Sequence, residues 1–585
     1  MSAHAHLAFG SQVVFTFGPL GFLVSPELFY TSTSTLAFIF TLAFLTALYG
    51  ALVWRLRQTV PLPLVVVVSY LVGGVSLLSA RYFGTTVAVE DALALVLIVC
   101  VSVLSRRQGD SAPMWIWIGL GGVLGIFSMV KLSLGFGIGV AELITVACLP
   151  RDRRRAVGGL VLGAVPLFSL GWFGTGNGFH NLVAYVRSSV DVVGGYGAAM
   201  AYEQTGRGYT YWLAALALVV IGTFAVSHAR HLPRRSQLGI GLVTLTTMWF
   251  LFKEAFVRHD HHDLVLFVTA PVVLAAFSPG WRSRTWLVAG VLGLSVLAVW
   301  DGGAIPVVIN QPVRAARNFV DEGTTLASSH RRAEVIAQSR RALLGVSGPS
   351  DKMLHLMQRS TVDVSPWEQT VIWADPKLRF DPLPVLQDYS AYTSSLDQLD
   401  TNFLRSSNAP RFILRQPVSI DGRNPAFEPP AAQLALECRY REVAVNAAWE
   451  VLEHRANRCG HPQLLRTVAS GLGHWVTVPS APPDDVVVAS FQLTEDFWSK
   501  FESFTYKPPN MFLAVNHDQT TWRFVAGTGP DLHVLRASSA LGFSPGFVPL
   551  ATQSLRLLIS GEGPGTSAIK ISFYKIPMAP TPGSP

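Results

Sequence analysis

Residues 61–80 read PLPLVVVVSYLVGGVSLLSA. The run carries no charge, and as a helix it would cross the roughly 30 Å hydrocarbon core of a bilayer. The same pattern recurs on both sides. Membrane-spanning helices are expected near 33–54, 61–80, 86–104, 114–131, 133–150, 156–174, 209–227, 238–257, 262–278 and 285–301. Glycines crowd 114–150, where close helix packing would use them.

The composition agrees. Half of the 585 residues are apolar, only 14% are charged, and the mean hydropathy is +0.38. A soluble chain would carry roughly a quarter charged residues. The average hides a split near residue 302, beyond which charge and proline return to globular density. The expected architecture is an α-helical polytopic membrane domain of about ten transmembrane helices over 1–302. An extracytoplasmic mixed α/β region follows over 303–464, then a C-terminal extracytoplasmic β-sandwich over 465–577 and a disordered tail at 578–585. Residues 312–345 have helical spacing. RFILR (411–415) reads as a strand, and YREVAVNAAWEVLEHR (440–455) reads as a hairpin turning near Asn446. VVVASFQL, MFLAVNH, TTWRFVAG, LHVLRAS, SLRLLISG and AIKISFYKI read as the strands of the sandwich.

Orientation follows from basic residues in short loops. One set of loops, which includes Arg55, Arg106, the Arg151–Arg155 cluster, Arg234 and Arg284, holds thirteen. The alternate set holds five: Arg81, Lys131, Arg187, Arg207 and Arg258. The richer side is cytoplasmic by the positive-inside rule. The first 32 residues, the loop 175–208, the turn 258–263 and everything after 302 are then expected outside, in the plasma membrane of a cell. A chain that starts outside with no export signal leads us to expect a further helix before residue 1 in the native product. The net charge of +8 lies largely in these loops, so it does not indicate nucleic acid. Cys100 and Cys148 read as buried small hydrophobes. Cys438 and Cys459, if outside, could close a loop of about 20 residues, stabilising by roughly 3 kcal/mol.

Several words of the sequence belong together. FGSQVVFTFGPLGFL (9–23), KLS (131–133), VGGYGAAM (193–200), FVRHDHH (256–262), PLPVLQDYSAYTSSLD (382–397) and APRFIL (409–414) resemble an uncharacterised family of bacterial polytopic membrane proteins with an FTFGPLGFL-type first external loop. Those proteins in turn resemble GT-C type glycosyltransferases. The resemblance implies transfer of a sugar from a polyprenyl-phosphate donor to a carbohydrate acceptor at the outer face, with membrane lipids around the site. GT-C enzymes carry a catalytic Asp in the first external loop. Here residues 1–32 hold Glu27 and no Asp.

The densest chemical cluster is KEAFVRHDHHD, 253–263. Lys253 and Arg258 are expected to hold a lipid-linked phosphate, with His259 and His262 beside them. Asp260 is a candidate base, and the His and Asp side chains are also donors for a divalent cation. The alternative is a solvated polar turn. Glu90, Asp91, Lys131 and Glu142 lie inside apolar runs, where a charge costs perhaps 2.5–3.5 kcal/mol unless paired. Glu90 and Asp91 are candidate catalytic carboxylates, but they point about 100° apart on a helix, so only one can face a cavity squarely. Lys131 is a candidate phosphate ligand, and Glu142 a packing partner. In the loop 175–208, apolar residues at 179, 182, 183, 186, 190 and 193 mark an amphipathic helix at the interface. Tyr185, Arg187, Asp191, Tyr196 and Glu203 could line an acceptor groove there. No Walker, Rossmann or Ser-His-Asp pattern is present. A transporter or flippase of a lipid-linked substrate, or a non-catalytic envelope assembly protein, remain the alternatives.

Overall fold

The computed structural model describes residues 1–107, 110–277, 284–302, 305–345, 348–493, 501, 505–517, 521–544, 547–548, 551–559 and 568–579. Most of the expected 281–284 loop and the tail from residue 580 lie outside these residues. The chain divides into two compact units. One comprises Met1–Leu7, Phe17–Gly178 and Glu203–Glu334; the other comprises Ala8–Thr16, Phe179–Tyr202 and Val335–Pro585.

The first unit is helical: α1 (Thr31–Leu56), α2 (Leu62–Phe83), α3 (Asp91–Leu104), α4 (Met114–Val130), α5 (Leu132–Cys148) and α6 (Arg153–Gly174). After α7 (Phe179–Met200), which belongs to the second unit, come α8 (Tyr209–Ala229), α9 (Arg234–Val257), α10 (Leu264–Ala275), α11 (Arg284–Gly302), α12 (Ile305–Ala327) and α13 (Ser329–Leu343). Among the described residues, five helices, α1, α2, α6, α8 and α9, are long and apolar enough to cross a membrane. At the other five expected positions the apolar helical segments among the described residues are shorter, between 10 and 17 residues, the one within α11 being Val288–Ala298.

Some of the shortening falls at polar residues. Lys131 is extended (φ −154°, ψ 109°) and splits the 114–148 run into α4 and α5. A left-handed Gly84 (φ 67°) ends α2, and Glu90 is the residue before α3. The turn 258–263 separates α9 from α10. Glycine brings α4 and α6 together as expected for membrane helices. A Cβ on Gly121 would lie 2.0 Å from the Leu160 carbonyl oxygen, and one on Gly163 would lie 2.0 Å from that of Ile118.

The second unit is rich in strands. Its first sheet contains β1 (Thr361–Ser365), β2 (Arg379–Phe380), β3 (Phe412–Arg415), β4 (Tyr440–Val445) and β5 (Glu450–His454), in the order β2-β1-β3-β5-β4. The β2-β1-β3 part is parallel, and β4–β5 is the expected hairpin. Its turn is fixed by Asn446, whose side-chain carbonyl accepts from the amides of Ala448 and Trp449. The remaining strands are β6 (Gln463–Gly471), β7 (Val476–Thr477), β8 (Asp485–Leu493), β9 (Met511–Val515), β10 (Thr521–Phe524), β11 (His533–Arg536), β12 (Ser554–Ile559) and β13 (Ala568–Pro577). They form two four-stranded antiparallel sheets, β11-β8-β13-β6 and β10-β9-β12-β7. Side chains from both, among them Phe491, Phe573, Leu513 and Leu557, share one buried cluster. Helix α16 (Pro430–Arg439), which follows α14 (Asp351–Met357) and α15 (Ser394–Arg405), carries Cys438. Cys438 forms a disulfide with Cys459, with Cα atoms 5.3 Å apart.

In the same unit, α7 turns Tyr185, Val192, Ala199 and Met200 inward. Phe179, Val183, Val186, Val190 and Val193 form an exposed apolar stripe at three- and four-residue spacing. The 382–397 run wraps past buried carboxylates with structural tasks. Asp397 accepts from the amides of Ala431 and Ala432 at the start of α16, and Asp400 accepts from that of Val385.

Candidate functional site

The site in the helical unit is built at helix ends. Because Lys131 leaves the helical conformation, the last carbonyls of α4 lose their intrahelical partners. The GPLG turn replaces them: the Gly18 amide donates to Val130 O at 2.9 Å and the Leu20 amide to Met129 O at 3.0 Å. The GPLG turn therefore caps α4 beside Lys131. The Lys131 ammonium donates to the Glu254 carboxylate, in the last turn of α9, and lies 3.8 Å from Glu90. Asp91 turns away and accepts a hydrogen bond from Ser76 of α2. Of the two adjacent acids, Glu90 is thus the one that meets the lysine.

The turn after α9 supplies a second set. Arg258 Nε donates to Asp260 Oδ2 at 2.9 Å, and Asp260 Oδ1 lies 2.5 Å from His262 Nδ1 and 3.0 Å from the His262 amide. The His262 ring packs against Phe83, centroids 4.8 Å apart. Burial alone would raise the Asp260 pKa. The hydrogen bond and charge of His262, with that of Arg258, overcome it and hold the carboxyl at about 2. Asp260 is therefore an anion throughout the neutral range and a weak proton acceptor.

A third set locks the turn from behind. His259 is fully buried, with Nδ1 2.6 Å from Glu203 Oε2 and Nε2 2.6 Å from Thr210 Oγ1. Asp263, also fully buried, takes Arg207 through both carboxylate oxygens at 2.7 and 2.8 Å. Burial disfavours the charged His259, but Asp263 and Glu203 beside it raise its pKa above the ordinary value. Burial likewise works against the Asp263 carboxylate, yet His259 and the Arg207 guanidinium hold its pKa below the usual range.

Lys131, Glu90, Arg258, Asp260, His259 and His262 all lie at helix ends of one unit, and both Lys131 and Arg258 have carboxylate partners. Lys253 lies instead over the Trp249 ring, 5.7 Å from its centroid, one turn back along α9. Arg187 is exposed on α7, in the second compact unit. Glu142 is buried in α5, and neither carboxylate oxygen has a hydrogen-bond partner among the described residues. Sequence reasoning passed over Glu254 and Thr210 and gave Arg207 no role at the site. Glu254 sits inside the quoted KEAFVRHDHHD cluster, so its signal was present. Thr210 carries no local signal at all. Among the described residues no group of three or more His, Cys, Asp or Glu side chains is arranged to hold a metal ion. No family profile matches the chain, and comparison with curated proteins finds no significant relative.

Proposed function

We propose that this is a glycosyltransferase-like membrane protein of the cell envelope, taking a sugar from a polyprenyl-phosphate donor at the outer face. The observation that supports it is the confinement of the paired charges to one end of the helices. Glu90 precedes α3, Lys131 joins α4 to α5, Glu254 closes α9, and the Arg258–Asp263 turn joins α9 to α10. Successive spans alternate in direction, so these junctions share a depth. A transport path would need polar groups through the whole thickness.

In this reading all ten apolar helices are spans, and the two four-stranded sheets are the faces of a sandwich. The stripe on α7 lies in the outer interface, as befits an apolar face tethered between two membrane-length helices. The basic asymmetry of the loops and the Cys438–Cys459 disulfide favour an exported C-terminal region. Lys131 and Arg258 stabilise the departing lipid phosphate. Glu90, more loosely held by Lys131 than Glu254 is, takes the acceptor hydroxyl's proton, and Asp260 positions Arg258 and His262.

The test is transfer of a labelled sugar from a synthetic polyprenyl-phosphate donor by the protein in proteoliposomes. Lys131→Ala, Arg258→Ala and Glu90→Gln should each abolish transfer without loss of insertion. Normal transfer in all three overturns the reading. Movement of intact donor between leaflets without transfer establishes the flippase alternative instead.

A further inference from the structure

The second unit holds a cavity of about 260 Å³ that the reading above does not use. This is close to the lower end of small-molecule sites, roughly 300 Å³. It lies where β1 and β3 end. Ser365 and Arg415, their last residues, are paired neighbours in the parallel ladder and both line it. Loops diverge at the carboxyl ends of parallel strands, and ligand sites form there.

The walls combine aromatic rings with hydrogen-bonding groups. Trp367 and Tyr389 meet edge-to-face at 5.9 Å, and Trp522 of β10 adds a third ring. Gln433 and Glu437, four residues apart on α16, present one helix face to the cavity. Arg415 is already held by Glu450 at 2.7 Å and Gln433 at 3.0 Å. Asp388 accepts from Ser365 at 2.5 Å.

Besides Glu428 Oε1, which is ion-paired with Arg423 at 2.8 Å, two wall groups are left over. Glu437 is 4% exposed, and its Oε2 has no hydrogen-bond partner among the described residues. The buried indole N–H of Trp522 has none either. The indole is a donor, and the Glu437 oxygen accepts when ionised and can donate when protonated; leaving either unsatisfied is costly. A ligand bearing hydroxyl groups answers both, since a hydroxyl donates and accepts.

Charge argues against an ion. Burial raises Asp388 well above the usual carboxyl range. It raises Glu428 to about 7 against the pull of Arg423, and Glu437 to about 8 against that of Arg415. Burial therefore favours the neutral form of these carboxyls. Neutral carboxyls offer little to a cation, and Arg415, the guanidinium on this wall, is already taken by Glu450 and Gln433.

We propose that this cavity binds one neutral saccharide unit, its apolar face on the aromatic rings and its hydroxyls on Glu437 and Trp522. The proposal does not rest on the transferase reading. Its test is titration of the full-length protein in lipid nanodiscs with the methyl glycosides of glucose, galactose, mannose and N-acetylglucosamine. Choline and inorganic phosphate are titrated in parallel. At least one glycoside should saturate, and Glu437→Leu and Trp522→Phe should each weaken it about tenfold while the melting temperature holds. Saturation by choline or phosphate but by no glycoside overturns the proposal. So does failure of every glycoside to saturate, or saturation that both variants leave unchanged.

Discussion

Lys131 and Glu254, 123 residues apart in sequence, form a hydrogen-bonded ion pair between the α4–α5 junction and the last turn of α9. The pair joins elements that no local pattern relates, and it ties the GPLG-capped end of α4 to the turn that carries Arg258, Asp260 and His262.

That pair should be worth more broken than removed. Lys131→Met leaves the Glu254 and Glu90 carboxylates without their cation. Losing one partner of a buried pair costs about 3–5 kcal/mol, and the one-third exposure of Glu254 moves the expected loss to about 2–3 kcal/mol. The double variant Lys131→Met with Glu254→Leu should recover most of it. Thermal unfolding in detergent measures both, and simple additivity of the two single effects would exclude the coupling.

Asp260 should make stability pH-dependent in acid. Its folded-state pKa of about 2 lies below its ordinary 3.8. The unfolded chain therefore binds the proton first, and the stabilisation is complete above about pH 4. It is lost as pH falls toward 2. Allowing for its partial exposure, the contribution is about 1–2 kcal/mol. Melting curves at pH 5 and pH 3 should show a larger drop in the parent protein than in Asp260→Asn, whose remaining drop comes from Asp263. Equal drops in the two would contradict the assignment.

Glycines 158 and 163 should respond oppositely to added volume. A Cβ at Gly158 meets nothing within 4 Å, whereas one at Gly163 runs into the Ile118 carbonyl. Gly158→Ala should be neutral or slightly stabilising. Gly163→Ala should cost about 1–3 kcal/mol or block assembly of α4 on α6. Stability of the two variants side by side is the readout, and equal behaviour would disprove the close helix contact.

The disulfide gives a chemical marker of folding. Thiol labelling of unreduced, denatured protein should reach Cys100 and Cys148 but not Cys438 or Cys459. Cys438→Ser with Cys459→Ser should lower stability by about 3 kcal/mol for a loop of this size. Reporter fusions after residue 302 test the sidedness that goes with it: an extracytoplasmic readout is expected, and a cytoplasmic one refutes the topology.

The positions of the helices were legible in the sequence because apolar length is a local property. The β4–β5 hairpin was legible for a similar reason, its turn being marked at Asn446. The Cys438–Cys459 pairing could be read from composition and placement. The sequence also marked Glu90, Lys131 and the 256–262 turn as chemically unusual, since charge in an apolar run is conspicuous. It could not say which of Glu90 and Asp91 faces Lys131, because one residue's step rotates a side chain by about 100° and the helix phase is set by packing. The same step decided that Glu254 rather than Lys253 meets Lys131. Only the tertiary structure revealed that the GPLG turn caps α4 and that Thr210 and Arg207 secure the 258–263 turn. It alone gathered Ser365, Arg415, Glu437 and Trp522 around one cavity. Those relationships join residues tens to hundreds of positions apart, and they exist only once the chain has folded back on itself.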